Sequence, residues 1–197
     1  MDKLDPRVLG TRPRQHLGRA VHPHKPRLRE ALRQQPDQGI LLTTTTPTGY
    51  RLALDWEKAH PQRVVALYSP LDLSSVARRV LRSLSPAQIV LVEAEVWPNI
   101  VSHATAMGIP VSLVNARLSQ RSERRYLGVR SLVAPIFGML TRVCVQDSED
   151  IDRWAWLGVA RERIELTGSI KYDPQGGDPQ PEQVASLAQL LANVGLA

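Results

Sequence analysis

The chain contains little of several residue types, and each scarcity excludes a class of protein. Cysteine occurs once in 197 residues, so a disulfide framework within the chain is impossible. No run of roughly 18 apolar residues occurs, and we expect no membrane-spanning helix. The basic N-terminus lacks the apolar core of a signal peptide, which favours a cytoplasmic location. The glycine spacings of Walker and dinucleotide-binding loops are also missing. We therefore expect no cofactor and no metal.

Positive charge is concentrated at one end of the chain. There are 25 Lys and Arg residues against 19 Asp and Glu, which gives a formal net charge of +6. Residues 1–35 hold nine of the basic residues and three of the acids, so this segment carries the whole excess. Such an arm suits contact with anionic lipid or nucleic acid, but a solvated tail fits it equally well. No aromatic residues are interleaved for base stacking, and we expect no nucleic-acid partner.

From Gly39 onward, apolar runs of strand length alternate with stretches of helical periodicity. The predicted strands cover 40–44, 64–68, 89–92, 110–114, 142–145 and 164–166, and the predicted helices cover 49–60, 76–84, 100–107 and 148–157. Strands separated by single helices indicate an α/β fold with a doubly wound, Rossmann-like parallel sheet. Cys144 is predicted to be a buried strand residue. We divide the chain into a basic arm (1–35), a Rossmann-like domain (36–173) and a linker with a short helix (174–197).

Two acids, Glu93 and Glu95, come directly after the apolar run 89–92. Open parallel sheets bind ligands outside the carboxyl ends of their strands, so both carboxylates are candidate site residues. An equally acceptable interpretation is a pair of solvated acids in a loop that precedes the helix at Pro98.

Two further loops at the same predicted sheet edge carry polar residues. Thr48 is predicted to cap the helix that follows 40–44, and Gly49 lets the backbone approach a ligand. Asn115 and Arg117 follow the fourth predicted strand, and the guanidinium of Arg117 suits a carboxylate or a phosphate. Ordinary helix capping and a solvated charged helix are the alternatives for these two loops.

Four motifs occur in order at regular intervals: Thr44-Thr45-Thr46-Pro47-Thr48-Gly49, Glu93-Ala94-Glu95-Val96-Trp97-Pro98-Asn99, Val114-Asn115-Ala116-Arg117-Leu118-Ser119 and Leu166-Thr167-Gly168-Ser169-Ile170-Lys171-Tyr172-Asp173. Together they resemble the N-terminal domain of the 3-deoxy-D-manno-octulosonic acid (Kdo) transferases. The resemblance covers about residues 31–173 of this chain.

The resemblance implies the acceptor-binding half of a two-domain GT-B glycosyltransferase. In lipopolysaccharide biosynthesis such an enzyme transfers Kdo from CMP-Kdo to a lipid A precursor, at the cytoplasmic face of the inner membrane. By the same resemblance, Glu93 and Glu95 are acceptor-side or near-catalytic carboxylates. Thr48, Gly49, Asn115 and Arg117 are then expected to bind the acceptor.

Two features of that family are not found in the sequence. Its first strand leads into a Ser-Val-Gly-Glu loop whose Glu is the general base, and residues 20–32 contain no such loop. We therefore expect the central first strand to be missing, which leaves 40–44 and 88–92 without a shared neighbour and lowers stability. About 24 residues follow Asp173, whereas a donor domain needs on the order of 150. CMP-Kdo is then a partner only if a donor domain is supplied.

Two functions of different classes stay open. The first is a truncated Kdo transferase with a lipid A precursor as acceptor, peripheral membrane contact and no recognisable base of its own. The second is a non-catalytic module that binds an anionic lipid head or a partner chain through the Glu93 and Arg117 loops and the basic arm. The acceptor domain of another GT-B enzyme is a third interpretation.

Overall fold

A computed structural model describes residues 17–20, 33, 38–93, 96–118, 122–123, 126 and 128–168. Within these ranges, strands and helices alternate along most of the chain. The strands are β1 (Leu17–Ala20), β2 (Gly39–Thr44), β3 (Val64–Tyr68), β4 (Ile89–Val92), β5 (Val111–Ala116), β6 (Arg142–Val145) and β7 (Ile164–Leu166). The helices are α1 (Pro47–Ala59), α2 (Ser74–Leu84), α3 (Pro98–Ala106), α4 (Arg130–Phe137) and α5 (Ser148–Trp156), with a 3₁₀ turn at Arg161–Arg163.

All the described strand pairs are parallel. β1, β2 and β3 are hydrogen-bonded in that order, and so are β4, β5, β6 and β7. β1 also contacts β4, so the strands follow the order β3-β2-β1-β4-β5-β6-β7 across the domain. This order reverses direction at β1 and β4, as in doubly wound folds. The predicted α/β fold with a parallel sheet is confirmed.

The expectation that the first strand is missing is wrong. Leu17 pairs with Gly39 and Ala20 with Leu41, which places β1 between β2 and β4. The strand was not recognised because its four residues, Leu-Gly-Arg-Ala, lack the β-branched or aromatic run that is typical of a central strand. Its position is set by pairing with its neighbours. The gap between β2 and β4 that was expected to lower stability is therefore filled by β1.

The apolar core has two parts. The larger part lies around β4 to β7 and includes the fully buried residues Val101, Leu113, Leu140, Val143 and Trp154. The smaller part packs α1 against β2 and β3 through Leu42, Ala53, Trp56, Val64 and Ala66. Each large apolar side chain buried in this way stabilises the fold by about 1.5–3 kcal/mol. Cys144 is buried in β6, as predicted.

Prolines shift two helix boundaries from their predicted positions. α1 and α3 both begin at a proline, two residues earlier than predicted, because the fixed φ of proline suits the first helical position. α4 was not predicted at all. It contains Pro135, which interrupts the pattern that identifies a helix in the sequence.

The predicted linker with its short helix (174–197) lies outside the described residues, as does most of the basic arm. Among the helices that the structure describes, none combines the length and apolar character that crossing a bilayer requires.

Candidate functional site

Two residues with a left-handed backbone lie side by side at the carboxyl ends of β4 and β5. Val92 pairs with Val114 in the parallel ladder, so Glu93 and Asn115 follow at the same level. Their φ angles are 66° and 55°. The backbone N–H of Glu93 donates to the carbonyl of Val114 at 2.9 Å, which extends the ladder by one bond. Backbone strain of this kind is concentrated at ligand sites in proteins.

Of the two acids predicted as site residues, the structure describes Glu93. The side chain of Glu93 is exposed at the end of β4, where a ligand in solution can reach it. Glu95 lies outside the described residues, so its predicted role stays a prediction.

Arg117 projects from a short segment whose neighbours are buried. Ala116 and Leu118 are 0% and 2% exposed, whereas Arg117 is exposed. Asn115 is also buried, at 2% exposure, and its carbonyl accepts a hydrogen bond from Nε2 of Gln146 at 3.2 Å. Arg117 is therefore an exposed cation on a tightly packed backbone, next to the Glu93–Asn115 pair. An anionic group is the ligand that such a guanidinium favours.

The first turn of α5 contributes a buried carboxylate. Asp150 is 2% exposed, and Nη1 of Arg153 donates to its Oδ1 at 3.0 Å. Burial raises the pKa of Asp150, although hydrogen bonds from Arg153 and from the backbone N–H of Leu118 oppose the shift. This carboxylate therefore pairs with an arginine one turn further along α5.

The loop after β2 is built around a helix cap. Oγ1 of Thr46 accepts a hydrogen bond from the N–H of Gly49 at 3.1 Å, so Thr46 is the N-cap of α1. The prediction that Thr48 caps this helix is wrong, because Pro47 takes the first helical position and moves the cap to the residue before it. Thr48 instead lies exposed in the first turn.

Gly49 is buried where α1 approaches the end of β2. A Cβ at this position would collide with Oγ1 of Thr44 and come within 2.9 Å of Oγ1 of Thr46. Close packing of helix against strand therefore already requires glycine here. Its predicted role in binding a ligand stays a prediction.

The loop between β3 and α2 supplies a cap for a distant helix. Oδ1 of Asp72 accepts from the N–H of Ile100 at 2.9 Å, and Oδ2 accepts from the N–H of Asn99 at 3.1 Å. The side-chain amide of Asn99 donates to the carbonyl of Asp72 at 2.7 Å. The Trp97-Pro98-Asn99 motif thus begins α3 and fastens it to this loop.

The sheet order determines which predicted residues come together. Glu93, Asn115 and Arg117 occupy neighbouring strand ends. Thr48 and Gly49 follow β2, two strand positions from β4, and adjacent strands are about 4.8 Å apart. Within the described part of the chain, His, Cys, Asp and Glu side chains form no group that could hold a metal ion.

Sequence reasoning missed the supporting roles of Asp72, Gln146 and Asp150. Asp147 is the N-cap residue of α5, but its side chain makes no capping hydrogen bond. The bonds of Gln146 and Asp72 reach partners 31 and 27 residues away, and no local pattern identifies such pairs.

Comparison with known proteins gives a consistent result. Residues 23–174 match the family model described as 3-deoxy-D-manno-octulosonic-acid transferase (kdotransferase). The 3-deoxy-D-manno-octulosonic acid transferase of Haemophilus influenzae is 31% identical over 165 residues, which cover 84% of this chain and 38% of the relative. The enzyme of the same name from Bordetella pertussis is 32% identical over 144 residues, or 68% of this chain and 31% of the relative. That from Chlamydophila psittaci is 29% identical over 150 residues, or 74% and 33%. The chain thus matches about a third of the length of these curated relatives.

Proposed function

The chain belongs to the Kdo transferase family, and from that premise we propose that it forms the acceptor-binding half of a GT-B glycosyltransferase of lipopolysaccharide biosynthesis. The acceptor is a phosphorylated lipid A precursor, and the donor in the complete reaction is CMP-Kdo. The proposal for residues 1–197 concerns the acceptor side, because the match covers 38% of the Haemophilus influenzae relative.

The observation that carries the proposal is the grouping of Glu93, Asn115 and Arg117 at one sheet edge. Glu93 has a left-handed backbone and an exposed carboxylate. It lies at the carboxyl ends of two parallel strands, together with the buried Asn115 and the exposed guanidinium of Arg117. Ligands of doubly wound folds bind at this edge, near the point where the strand order reverses. Arg117 is assigned to bind an anionic group of the acceptor. Asn115 is assigned to form the base of the same binding site.

In the reaction, the bond between the anomeric carbon of Kdo and the phosphate oxygen of CMP breaks. CMP leaves with the electron pair of that bond, an acceptor hydroxyl oxygen forms the new bond to the carbon, and the hydroxyl proton passes to a general base. Glu93, with Glu95 as its sequence neighbour, is placed on the acceptor side, where a carboxylate can orient the attacking hydroxyl by a hydrogen bond. Thr48 and Gly49 are assigned to the more distant wall of the acceptor cleft. The general base is assigned to none of these residues.

Peripheral contact with the cytoplasmic face of the inner membrane belongs to the same proposal. The basic residues of 1–35 suit an anionic leaflet, to which each Lys or Arg near the surface contributes about 1 kcal/mol. The contact would hold the domain where a lipid acceptor is found.

A second candidate is a module that binds the acceptor without catalysing transfer. The same three residues support it, because an Arg117 anion site does not by itself require a reaction. The two candidates differ only in turnover.

The test uses the full chain, detergent micelles that contain a phosphorylated lipid A precursor, and radiolabelled CMP-Kdo. Binding to these micelles, and weaker binding to micelles of the dephosphorylated precursor, is the expected result. Radiolabel in the lipid fraction, lost in Glu93→Gln, would support transfer by this chain. Binding without radiolabel would favour the module. Equal binding to both kinds of micelle would contradict the proposed acceptor site.

A further inference from the structure

We propose that Tyr68, supported by Tyr50, is a binding residue whose aromatic face packs against the C–H face of a sugar ring at the carboxyl end of β3. The sugar ring is that of the acceptor, so its source rests on the function proposed above. Neither tyrosine belongs to the group of Glu93, Asn115 and Arg117.

The two tyrosine rings form a stack. Their centroids are 4.2 Å apart and their planes meet at 24°, so the rings lie face to face and not edge to face. Tyr50 is half-buried and packs against the smaller part of the core, whereas Tyr68 is 51% exposed. Tyr50 therefore covers one face of the Tyr68 ring and supports it from the protein side, while much of Tyr68 stays accessible to a ligand.

Both rings are carried by well-fixed backbone. Tyr68 is the last residue of β3 and pairs with Thr44 of β2, and the N–H of Ser69 donates to the carbonyl of Thr44 at 2.9 Å. Tyr50 lies in the first turn of α1, where its N–H donates to the carbonyl of Thr46 at 2.9 Å. Groups on strands and helices are held more precisely than groups on loops, so the stack is arranged before a ligand arrives.

The surroundings of the stack match the chemistry of a sugar. The loop that leads to Tyr50 contains three exposed threonines, whose hydroxyl groups both donate and accept hydrogen bonds: Thr45, Thr46 and Thr48. A sugar ring carries hydroxyl groups at its rim and weakly positive C–H groups on its faces, and the face of an aromatic ring is negative. An aromatic surface with a few polar groups beside it is a usual composition of a ligand site. This combination therefore favours a sugar ring over the anionic group assigned to Arg117.

The stack lies on the same sheet edge as Glu93, at some distance along it. β2 and β1 separate β3 from β4 in the strand order. Adjacent strands are about 4.8 Å apart, so the distance along the edge is on the order of 14 Å. Tyr68 is therefore assigned to the end of the acceptor cleft that is far from Arg117, on the side of Thr48.

The first test measures binding of the deacylated, phosphorylated head group of the lipid A precursor, which needs no micelles. Tyr68→Leu keeps an apolar side chain but removes the aromatic face, and we expect it to weaken binding about threefold to tenfold. Tyr68→Phe keeps the ring and should stay within about twofold of wild type. The matched control is Trp156→Ala, which removes an exposed aromatic residue at the end of α5 and should change affinity less than about twofold. Wild-type affinity in Tyr68→Leu, or an equal loss in Trp156→Ala, would overturn the proposal.

The second test separates this site from the Arg117 site. By NMR spectroscopy, saturation transfer is measured from aromatic protons of the protein to the C–H protons of the deacylated and dephosphorylated head group. Transfer is expected in wild type and in Arg117→Ala, and a reduction of at least about threefold is expected in Tyr68→Leu.

The outcomes for the two sites are distinguishable. If micelles of the phosphorylated precursor failed to bind, the proposed function would fail, whereas transfer that depends on Tyr68 would still support the sugar site. No transfer in wild type, or unchanged transfer in Tyr68→Leu, would overturn the sugar site even if the micelles bound through Arg117.

Discussion

Glu93 and Asn115 lie side by side at the ends of β4 and β5, and both adopt a left-handed backbone, with φ angles of 66° and 55°. For a residue other than glycine, this conformation costs about 1–2 kcal/mol, and Asn tolerates it better than Glu. Within the chain, Glu93 obtains one backbone hydrogen bond from this position, and its side chain stays exposed. We infer that the carboxylate is kept at this position for binding and not for stability.

Replacing Glu93 with glycine should therefore separate stability from binding. Glycine adopts positive φ without strain, and part of that gain is offset by the greater freedom of the unfolded chain. We expect Glu93→Gly to raise the free energy of unfolding by about 0.5–1 kcal/mol and to weaken precursor binding. Glu93→Ala is the control, since it removes the carboxylate but keeps the strain. Chemical denaturation measures both variants, and equal stability of the two would argue against stored strain.

The cap that Asp72 provides to α3 should be measurable by mutation. Its carboxylate accepts from the N–H groups of Asn99 and Ile100 at 3.1 and 2.9 Å. Removing a capping carboxylate costs about 1–2 kcal/mol, so Asp72→Ala should lower the urea midpoint accordingly. Asp55→Ala, at an exposed position of α1, should change stability by less than about 0.5 kcal/mol. Similar effects of the two substitutions would refute the cap.

Gly49 is predicted to tolerate no side chain. Alanine would gain about 1 kcal/mol of helix propensity, but its Cβ would lie 3.2 Å from Cβ of Thr44 and collide with Oγ1 of the same residue. Overpacking costs about 1–3 kcal/mol, so we expect a net loss of stability in Gly49→Ala. In Gly39→Ala the new Cβ would lie 3.7 Å from the carbonyl oxygen of Arg63, an ordinary contact, and nearer to no other atom of the part of the chain that the structure describes. Thermal unfolding compares the two, and a Gly49→Ala protein as stable as Gly39→Ala would disprove the close approach.

Burial of Asp150 should give the domain a specific pH dependence. Its pKa is raised above the ordinary value of 3.8, mainly by burial. Between the unfolded and the folded pKa the folded state binds more protons than the unfolded state, so the contribution of Asp150 to the free energy of unfolding falls as pH rises. The free energy of unfolding of wild type should therefore fall relative to that of Asp150→Asn as pH rises above about 4. In Asp152→Asn, which changes an exposed acid, the free energy of unfolding should depend on pH in the same way as in wild type. If the difference in free energy of unfolding between wild type and Asp150→Asn did not change with pH, the raised pKa of Asp150 would be contradicted.

The parts of the fold that were predictable from the sequence are those with a strong local signal. β2, β3 and β4 each contain three to five consecutive apolar residues, and five of the six strands predicted differ from the observed ones by no more than one residue at either end. β1 was missed because Gly18 and Arg19 interrupt it, and only its neighbours place it in the sheet. α4 was missed because of Pro135.

In the candidate site, too, some features were predictable from the sequence and others were not. Glu93 and Asn115 could be placed from sequence, because the ends of adjacent parallel strands meet at one edge. Their left-handed backbone could not be predicted, since neither residue is glycine. Asp72 and Gln146 bind residues about thirty positions away in the chain, and only the folded structure brings such partners together.

The central claim is that the sheet edge binds an anionic acceptor through Arg117. The most direct measurement is the affinity of three proteins, the wild type, Arg117→Ala and Arg82→Ala, for micelles of the phosphorylated lipid A precursor. Arg82 is an exposed arginine in the last turn of α2, so the two variants lose the same charge. A charge-assisted hydrogen bond is worth about 1.5–3 kcal/mol, so Arg117→Ala should bind at least about tenfold more weakly. Arg82→Ala should stay within about twofold of wild type. Equal losses in the two variants, or no loss in Arg117→Ala, would contradict the claim.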